Sequence, residues 1–283
     1  MGSEVPIPKV AFAPTLCFPD AEKSCFACCP PIRPAGYEHI QYEHIIKRML
    51  RENTQSFAKR GKGVFPITGF SCWALGYLDK NCRRVGCLLH PDQNNNIDRR
   101  YRIHYGEKCG REICPEAKTF RQLNIREQNF FLQLAQDLDS FSYSSRKKNP
   151  LFKMLGWGSE TLRNIAFRDC GRTFTRESFF EIYPFFLTSL NPRANAYLLR
   201  ALIRRNRADF LKTKSFRHHF KIFSVRISNR LKQIIRLDPG SPYTHCLKLD
   251  PLFLDFLRLS VGLVRTDEKK ALQVKHMLNA AIQ

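Results

Sequence analysis

Cysteine is the residue type in this chain whose placement could do chemistry. Five of the 11 cysteines (Cys72, Cys82, Cys87, Cys109 and Cys114) fall between positions 72 and 114, and Cys25, Cys28 and Cys29 stand together upstream in SCFACC. Thiolates are soft, charged donors that hold zinc or iron–sulfur clusters. Cys25-x2-Cys28 and Cys87-x2-His90 have the short spacing with which one tight turn points two ligands at one ion. Cys82-x4-Cys87 and Cys109-x4-Cys114 are looser, and Gly86 and Gly110 inside them suit a backbone of positive φ. We therefore expect Cys25, Cys28, Cys29, Cys72, Cys82, Cys87, His90, Cys109 and Cys114 to hold metal, in two sites or with spectators, since a tetrahedral zinc takes four ligands. His90 favours zinc, because histidine with cysteine is a common zinc set. An iron–sulfur cluster is the alternative, although neither ferredoxin spacing is present. The competing account is a set of buried thiols or occasional disulfides; clustering at short spacing argues for metal instead. Cys170 and Cys246 stand alone in or near helical context and read as ordinary buried cysteines. Cys17 is ambiguous, and His104 is a reserve ligand.

The CFACC stretch, followed far downstream by a second cysteine group ending at Cys114-Pro115, resembles the YkgJ-type cysteine-cluster proteins. The first motif of that family is roughly C-x2-C-x2-CC. Cys25, Cys28 and Cys29 match its last three cysteines, and Glu22 stands where the first would be. The resemblance covers residues 25 to 114 and implies chelation of zinc or iron; it implies no reaction.

Other motifs are absent. No P-loop, dinucleotide fingerprint, H-E-x-x-H or G-x-S-x-G occurs. DQNNNID begins like a calcium loop, but Ile97 replaces the required glycine and Ile103 the closing glutamate, so it reads as a polar turn. Cys87 and His90 as a nucleophile and its base need more assumptions than the metal reading. His39 and His44 are five apart, on different helix faces, and read as surface residues.

A second signal is charge. The 283 residues carry 47 Lys and Arg against 25 Asp and Glu, a net charge of +22. Such an excess favours anionic partners: nucleic acid, an acidic protein or a membrane surface. It concentrates between Arg193 and Arg236, where Arg200, Arg204, Arg205, Arg207, Lys212, Lys214 and Arg217 are candidates for phosphate contacts and Asp209 is the only acid. The alternative for these charges is a solvated helix face. The interleaved phenylalanines have helical spacing and read as core.

The elements that must position these residues differ along the chain. Residues 1 to 34 are rich in proline and read as an extended arm. A helix is expected from about Tyr37 to Glu52, with Ile40, Ile45, Met49 and Leu50 on one face, then a loop to Gly63 and one or two short strands after Val64. The cysteine window lacks regular apolar period, so metal is expected to supply its order. Beyond it, Asn124 with Glu127 resembles a capping box ahead of Phe131, Leu134, Leu138 and Phe141. SSRKKNP reads as a surface loop. Ser159, Asn191-Pro192 and Asp250-Pro251 mark further helix starts, Phe216 to Ile234 a long amphipathic helix, and Leu272 to Leu278 the last one.

The reading is thus a mainly α protein. A small, irregular, metal-held cysteine-rich module (residues 1 to 118) precedes a basic helical domain (residues 119 to 283). The 43% hydrophobic content can supply a core. No run is long and apolar enough to span a bilayer and no secretory signal is evident, so a cytoplasmic protein is expected. Three functions compete: a non-catalytic protein with a structural metal, a nucleic-acid-binding protein stabilised by that metal, and a redox enzyme using an iron–sulfur cluster.

Overall fold

The structure, a computed structural model, describes residues 14–29, 38–68, 71–111, 113–206, 209–235 and 239–282. It is mainly helical, with a two-stranded antiparallel sheet. The chain divides into two compact units: Met1–Ala117 with Asp137–Lys148, and Lys118–Gln136 with Asn149–Gln283.

In the first unit, a 3₁₀ turn at His39–Tyr42 leads into helix α1 (Glu43–Phe57). Of the helix expected over 37 to 52, Tyr37 lies outside the described residues, while α1 runs past Glu52. Tertiary bonds hold that extra turn in place. Asn53 Nδ2 donates to the carbonyls of Cys72 (3.0 Å) and Leu75 (2.9 Å), and Thr54 Oγ1 accepts from the Tyr77 N–H at 2.8 Å. The buried stripe is Ile46 and Leu50, whereas Ile45 is 48% exposed, so the expected face is rotated.

Strands β1 (Leu75–Tyr77) and β2 (Val85–Cys87) pair with Gly76 opposite Gly86. Both glycines answer close packing. A Cβ on Gly76 would stand 2.7 Å from Thr54 Oγ1, and one on Gly86 would stand 2.8 Å from Leu78 Cδ1. Neither Gly86 nor Gly110 has positive φ, which corrects the expectation for both.

The cysteine window also has an apolar core of its own. Phe26, Ile46, Leu50, Trp73, Leu75, Tyr77, Val85, Leu89 and Phe141 pack together. The low apolar periodicity of the sequence concealed this, because the contributors come from loops and from distant segments rather than from one patterned element. His39 is buried here as well, at 2% exposure, with Nε2 2.8 Å from the Phe141 carbonyl oxygen. It is not a surface residue; tilted contact with Phe26 covers its ring.

In the second unit the cap signals are largely as the sequence indicates. The Asn124–Glu127 capping box opens α4 (Ile125–Leu132). Asn149 caps α6 (Pro150–Leu155), Asn191 Oδ1 accepts from Ala194 N at the start of α9 (Pro192–Asn206), and Asp250 caps α11 (Pro251–Phe256). Two details differ. The N-cap of α7 (Ser159–Asp169) is Gly158 at φ 88°, and Ser159 Oγ donates to Gln122 instead. The apolar run expected to reach Phe141 stops after a 3₁₀ turn at Gln133–Ala135. The chain then re-enters the first unit, where Asp139 starts a new helix, α5 (Ser140–Ser144), by accepting from Ser142 N at 2.7 Å.

The long helix α10 (Lys214–Ile234) buries Phe220, Ile227 and Leu231. The last helix, α12 (Glu268–Ile282), buries Val274 and Leu278, with Leu272 and Met277 at its edge. Trp157 is fully buried, 5.1 Å from Phe185 and 6.3 Å from Phe220 between ring centroids. Among the described residues, no helix is long and apolar enough to cross a membrane.

Candidate functional site

The first unit gathers eight cysteines into two sets of neighbours. All eleven cysteines of the chain are thiols. Beside Cys25 stand Cys17, Cys28 and Cys114, whose negative charges would repel its own; Cys114 likewise has Cys17 and Cys28 as neighbours. Beside Cys29 stand Cys28, its strongest neighbour, and then Cys87 and Cys72, and Cys109 is a neighbour of both Cys72 and Cys87. A side-chain hydrogen bond between Cys28 and Cys29 links the sets.

Each set is drawn from separated stretches of chain, and the segments are pinned by side-chain bonds. Ser24 Oγ donates to the Val85 carbonyl and accepts from the Val85 N–H, both at 2.7 Å, which seats the SCFACC stretch against β2. From α5, Ser140 Oγ accepts from Ser24 N at 3.1 Å and Ser144 Oγ from Phe26 N at 2.9 Å. Tyr143 Oη donates to the Leu16 carbonyl at 3.0 Å, which holds the Cys17 loop. The Cys25 N–H then donates to the Cys17 carbonyl at 2.8 Å. Three of these residues, Ser140, Tyr143 and Ser144, lie in or beside the stretch read as a surface loop. Only Arg146 to Lys148 is exposed there.

Backbone N–H groups are aimed at several of the sulfurs. Cys25 receives one from Ala27, Cys72 from Ala74 and Leu75, Cys87 from Leu89, and Cys114 from Ala117 at 3.3 Å. A thiol is a weak acceptor and a thiolate a strong one. These donors therefore favour the charged form, the form that ligates metal.

They are outweighed in the metal-free protein. Burial pushes the Cys72 thiol up to about 11 and those of Cys87 and Cys114 to about 12. Cys25 is raised well above the ordinary thiol range by burial and by the neighbouring sulfurs. Cys29 is raised too, first by its hydrogen bond with Cys28 and then by burial. Some surface of Cys25 and Cys29 remains accessible, yet their sulfurs are surrounded by protein. Two cations oppose the effect: Arg60 lies beside Cys72, and Arg100 lies beside Cys87 and Cys109.

The remaining expected ligands stand elsewhere. Cys82 is exposed at the tip of the hairpin, at φ 55°. His90 Nδ1 accepts the Asp92 N–H at 3.3 Å as the cap of a 3₁₀ turn, and burial lowers the imidazole pKa. The charged groups around His90 are Asp92, Asp98 and Arg100. Cys17, not among the expected ligands, is a neighbour of Cys25 and Cys114. Its seven-residue separation from Cys25 is not a short-spacing motif, so only the loop closure reveals it. Cys246 is exposed and Cys170 half-buried, so neither is the buried thiol expected.

The sulfurs of each set are neighbours without being at a ligand's distance from a common point. Among the described residues, no group of three or more His, Cys, Asp or Glu side chains is arranged to hold a metal ion as it stands.

The described cations of the basic segment up to Lys212 are engaged within the second unit. Arg200 pairs with Asp250, and Arg204 is bidentate to Glu160 at 2.6 and 2.7 Å. Arg205 donates to the Ile282 carbonyl at 2.6 Å, and Lys212 pairs with Asp169 at 3.2 Å. Arg207 lies outside the described residues. Lys214 and Arg217 face solvent on the first turns of α10.

No family model, curated protein or solved structure matches the chain.

Proposed function

We propose that this protein binds metal through two all-cysteine sites, Cys17, Cys25, Cys28 and Cys114 in one and Cys29, Cys72, Cys87 and Cys109 in the other. The observation that carries the reading is the gathering of eight sulfurs into two groups that meet at Cys28, several of them with backbone N–H groups directed at sulfur. Four is the coordination number of a structural zinc, and a closed sulfur set leaves no open position for catalysis. The donor chemistry fits: soft thiolates, hydrogen-bonded from the backbone, with Arg60 and Arg100 beside one set. The metal would supply charge that reverses the mutual repulsion of the thiolates, and it would tie the arm around Cys17–Cys29 to β2 and α2 (Gly106–Arg111). The resemblance of CFACC to the YkgJ-type cysteine-cluster proteins agrees with this chemistry.

His90 lies outside both sets, with Asp92, Asp98 and Arg100 as its charged neighbours, so it does not argue for zinc over iron. Zinc remains the reading, with no reaction attached to it. Elemental analysis and an absorption spectrum of anaerobically purified protein test it. Two zinc per chain and no visible absorption are expected. Iron with visible absorption assigns the same sulfurs to iron–sulfur clusters and an electron-transfer role, and only trace metal of either kind overturns the proposal.

A second reading, an anionic partner for the basic segment, rests on the cations of α10 that face solvent without carboxylate partners among the described residues. The four others with described side chains already serve the fold.

A further inference from the structure

On the second unit, a cavity of about 320 Å³ opens beside the start of α10. Lys214, Arg217, His218 and Lys221 line it from one side, and Leu187, Thr188 and Ser189 from the other. The four α10 residues are spaced i, i+3, i+4 and i+7, which puts them on one helix face. No carboxylate lines the cavity.

This arrangement is electrostatically costly when empty. Like charges three and four apart repel one another along a helix. The first turn of a helix carries positive partial charge, so cations there are disfavoured and anions favoured. The first turn of α10 contains no acidic residue, and Thr213 supplies no side-chain cap. Five acids of the unit are paired with other cations: Asp169 with Lys212, Asp209 with Arg168, Asp250 with Arg200, Asp255 with Arg193, and Glu160 with Arg204. None of the ion pairs among the described residues involves Lys214, Arg217 or Lys221. A bound anion would relieve both the mutual repulsion and the conflict with the helix dipole.

The cavity wall is well supported. Thr188 is 3% exposed, and the Lys153 ammonium donates to its carbonyl. The Thr188 N–H donates to the Phe185 carbonyl at 3.0 Å. Thr188 and Ser189 add hydroxyl groups, and Leu187, 55% exposed, offers an apolar rim.

We infer that this cavity is a binding site for a ligand carrying two or more linked phosphate groups. Three cations, with the Thr188 and Ser189 hydroxyls opposite, match a diphosphate in charge. The volume is at the small end for ligand sites, about 300 to 1,000 Å³. The inference rests on the anionic-partner reading, and it is independent of the metal.

Binding measured calorimetrically on the full chain at low salt tests it, with inorganic pyrophosphate, ADP and a single-stranded oligonucleotide as separate probes. Pyrophosphate and ADP should bind at one site. The double substitution Arg217→Ala with Lys221→Ala should weaken both at least tenfold, while Arg204→Ala should leave them unchanged. Circular dichroism checks that each variant is folded. If the oligonucleotide also binds, is displaced by pyrophosphate and is weakened by the double substitution, the phosphate belongs to a polynucleotide backbone held in the same cavity. If pyrophosphate fails to bind, or binds the double variant as well as the unaltered chain, the cavity is not a phosphate site. Oligonucleotide binding that the double substitution leaves intact would then keep the anionic-partner reading alive without the cavity. No binding by any probe would end both.

Discussion

The Arg100 guanidinium donates to the Cys109 carbonyl at 2.9 Å while its charge bears on the sulfurs of both Cys87 and Cys109. Asp98 holds it from the other side, accepting from Nε at 2.9 Å and from Nη2 at 2.6 Å. Arg100 holds the Asp98 carboxyl down to about 2 through that bond, so the pair stays ionised across the useful pH range. A cation locked in this way lowers the energy of nearby thiolates without competing for the metal. Arg100→Gln should therefore loosen metal in the Cys29 set by about 10- to 100-fold, the usual effect of losing an outer partner. The Cys25 set should be unaffected. Metal release to a chromophoric chelator should become biphasic, with half the metal leaving early.

The two-set partition makes different forecasts for three cysteines. Cys17→Ser and Cys72→Ser should each reduce the bound metal from two ions to one, in different sets. Cys82→Ser should retain both, since Cys82 stands apart at the hairpin tip. Native mass spectrometry counts the ions directly, and loss of metal from Cys82→Ser would contradict the partition.

Removal of metal should make the first unit sensitive to alkali. In the folded metal-free chain Cys72 has a pKa of about 11 and Cys87 and Cys114 about 12, against about 8.5 for a thiol in an unfolded chain. Above about pH 8.5 the unfolded state loses these protons and the folded state keeps them. The stabilisation is thus complete below that pH and is lost as pH rises toward 11 to 12. Chelated protein should show a denaturation midpoint that falls between pH 8 and 10, and metal-loaded protein should show much less change. Alkylation of Cys72 and Cys87 in the chelated chain should likewise be slow at pH 8 and accelerate with pH.

Gly106 should tolerate no side chain. A Cβ there would lie 2.3 Å from the Arg100 carbonyl oxygen and 2.7 Å from Tyr101 Cα, both backbone atoms that cannot swing aside. Gly106→Ala should cost about 1 to 3 kcal/mol, as overpacking does, and should displace the start of the helix that carries Cys109. Gly110→Ala is the control, because the nearest atom to its Cβ is Asp98 Oδ2 at 3.9 Å. Thermal unfolding of the two variants should separate clearly.

Ser24→Ala removes both bonds to the Val85 backbone at a site that is 0% exposed. The stranded N–H and carbonyl should cost about 1 to 3 kcal/mol. Because Ser24 adjoins Cys25, metal affinity of the Cys25 set should fall along with stability, and titration with zinc would register both.

Part of this protein was legible in its residues alone. The caps at Asn124, Asn191 and Asp250 act on N–H groups two or three residues away, so the sequence contains everything that defines them. The same holds for the apolar stripe of α10 and for the presence of many thiols at short spacing. What the tertiary structure decided is which sulfurs are neighbours. Cys17 joins Cys25, Cys28 and Cys114 because Tyr143, Ser144 and Ser140 clamp the arm from far along the chain, and Cys82 is excluded because the hairpin turns it outward. Charge shows the same division: the sequence contains the surplus of arginine and lysine, but only the fold brings Asp250, Glu160 and Asp169 to three of them and leaves Lys214, Arg217 and Lys221 around a cavity. Capping and periodicity are local and survive in one dimension; sulfur grouping and charge pairing depend on loop closures over tens of residues, which no local pattern encodes.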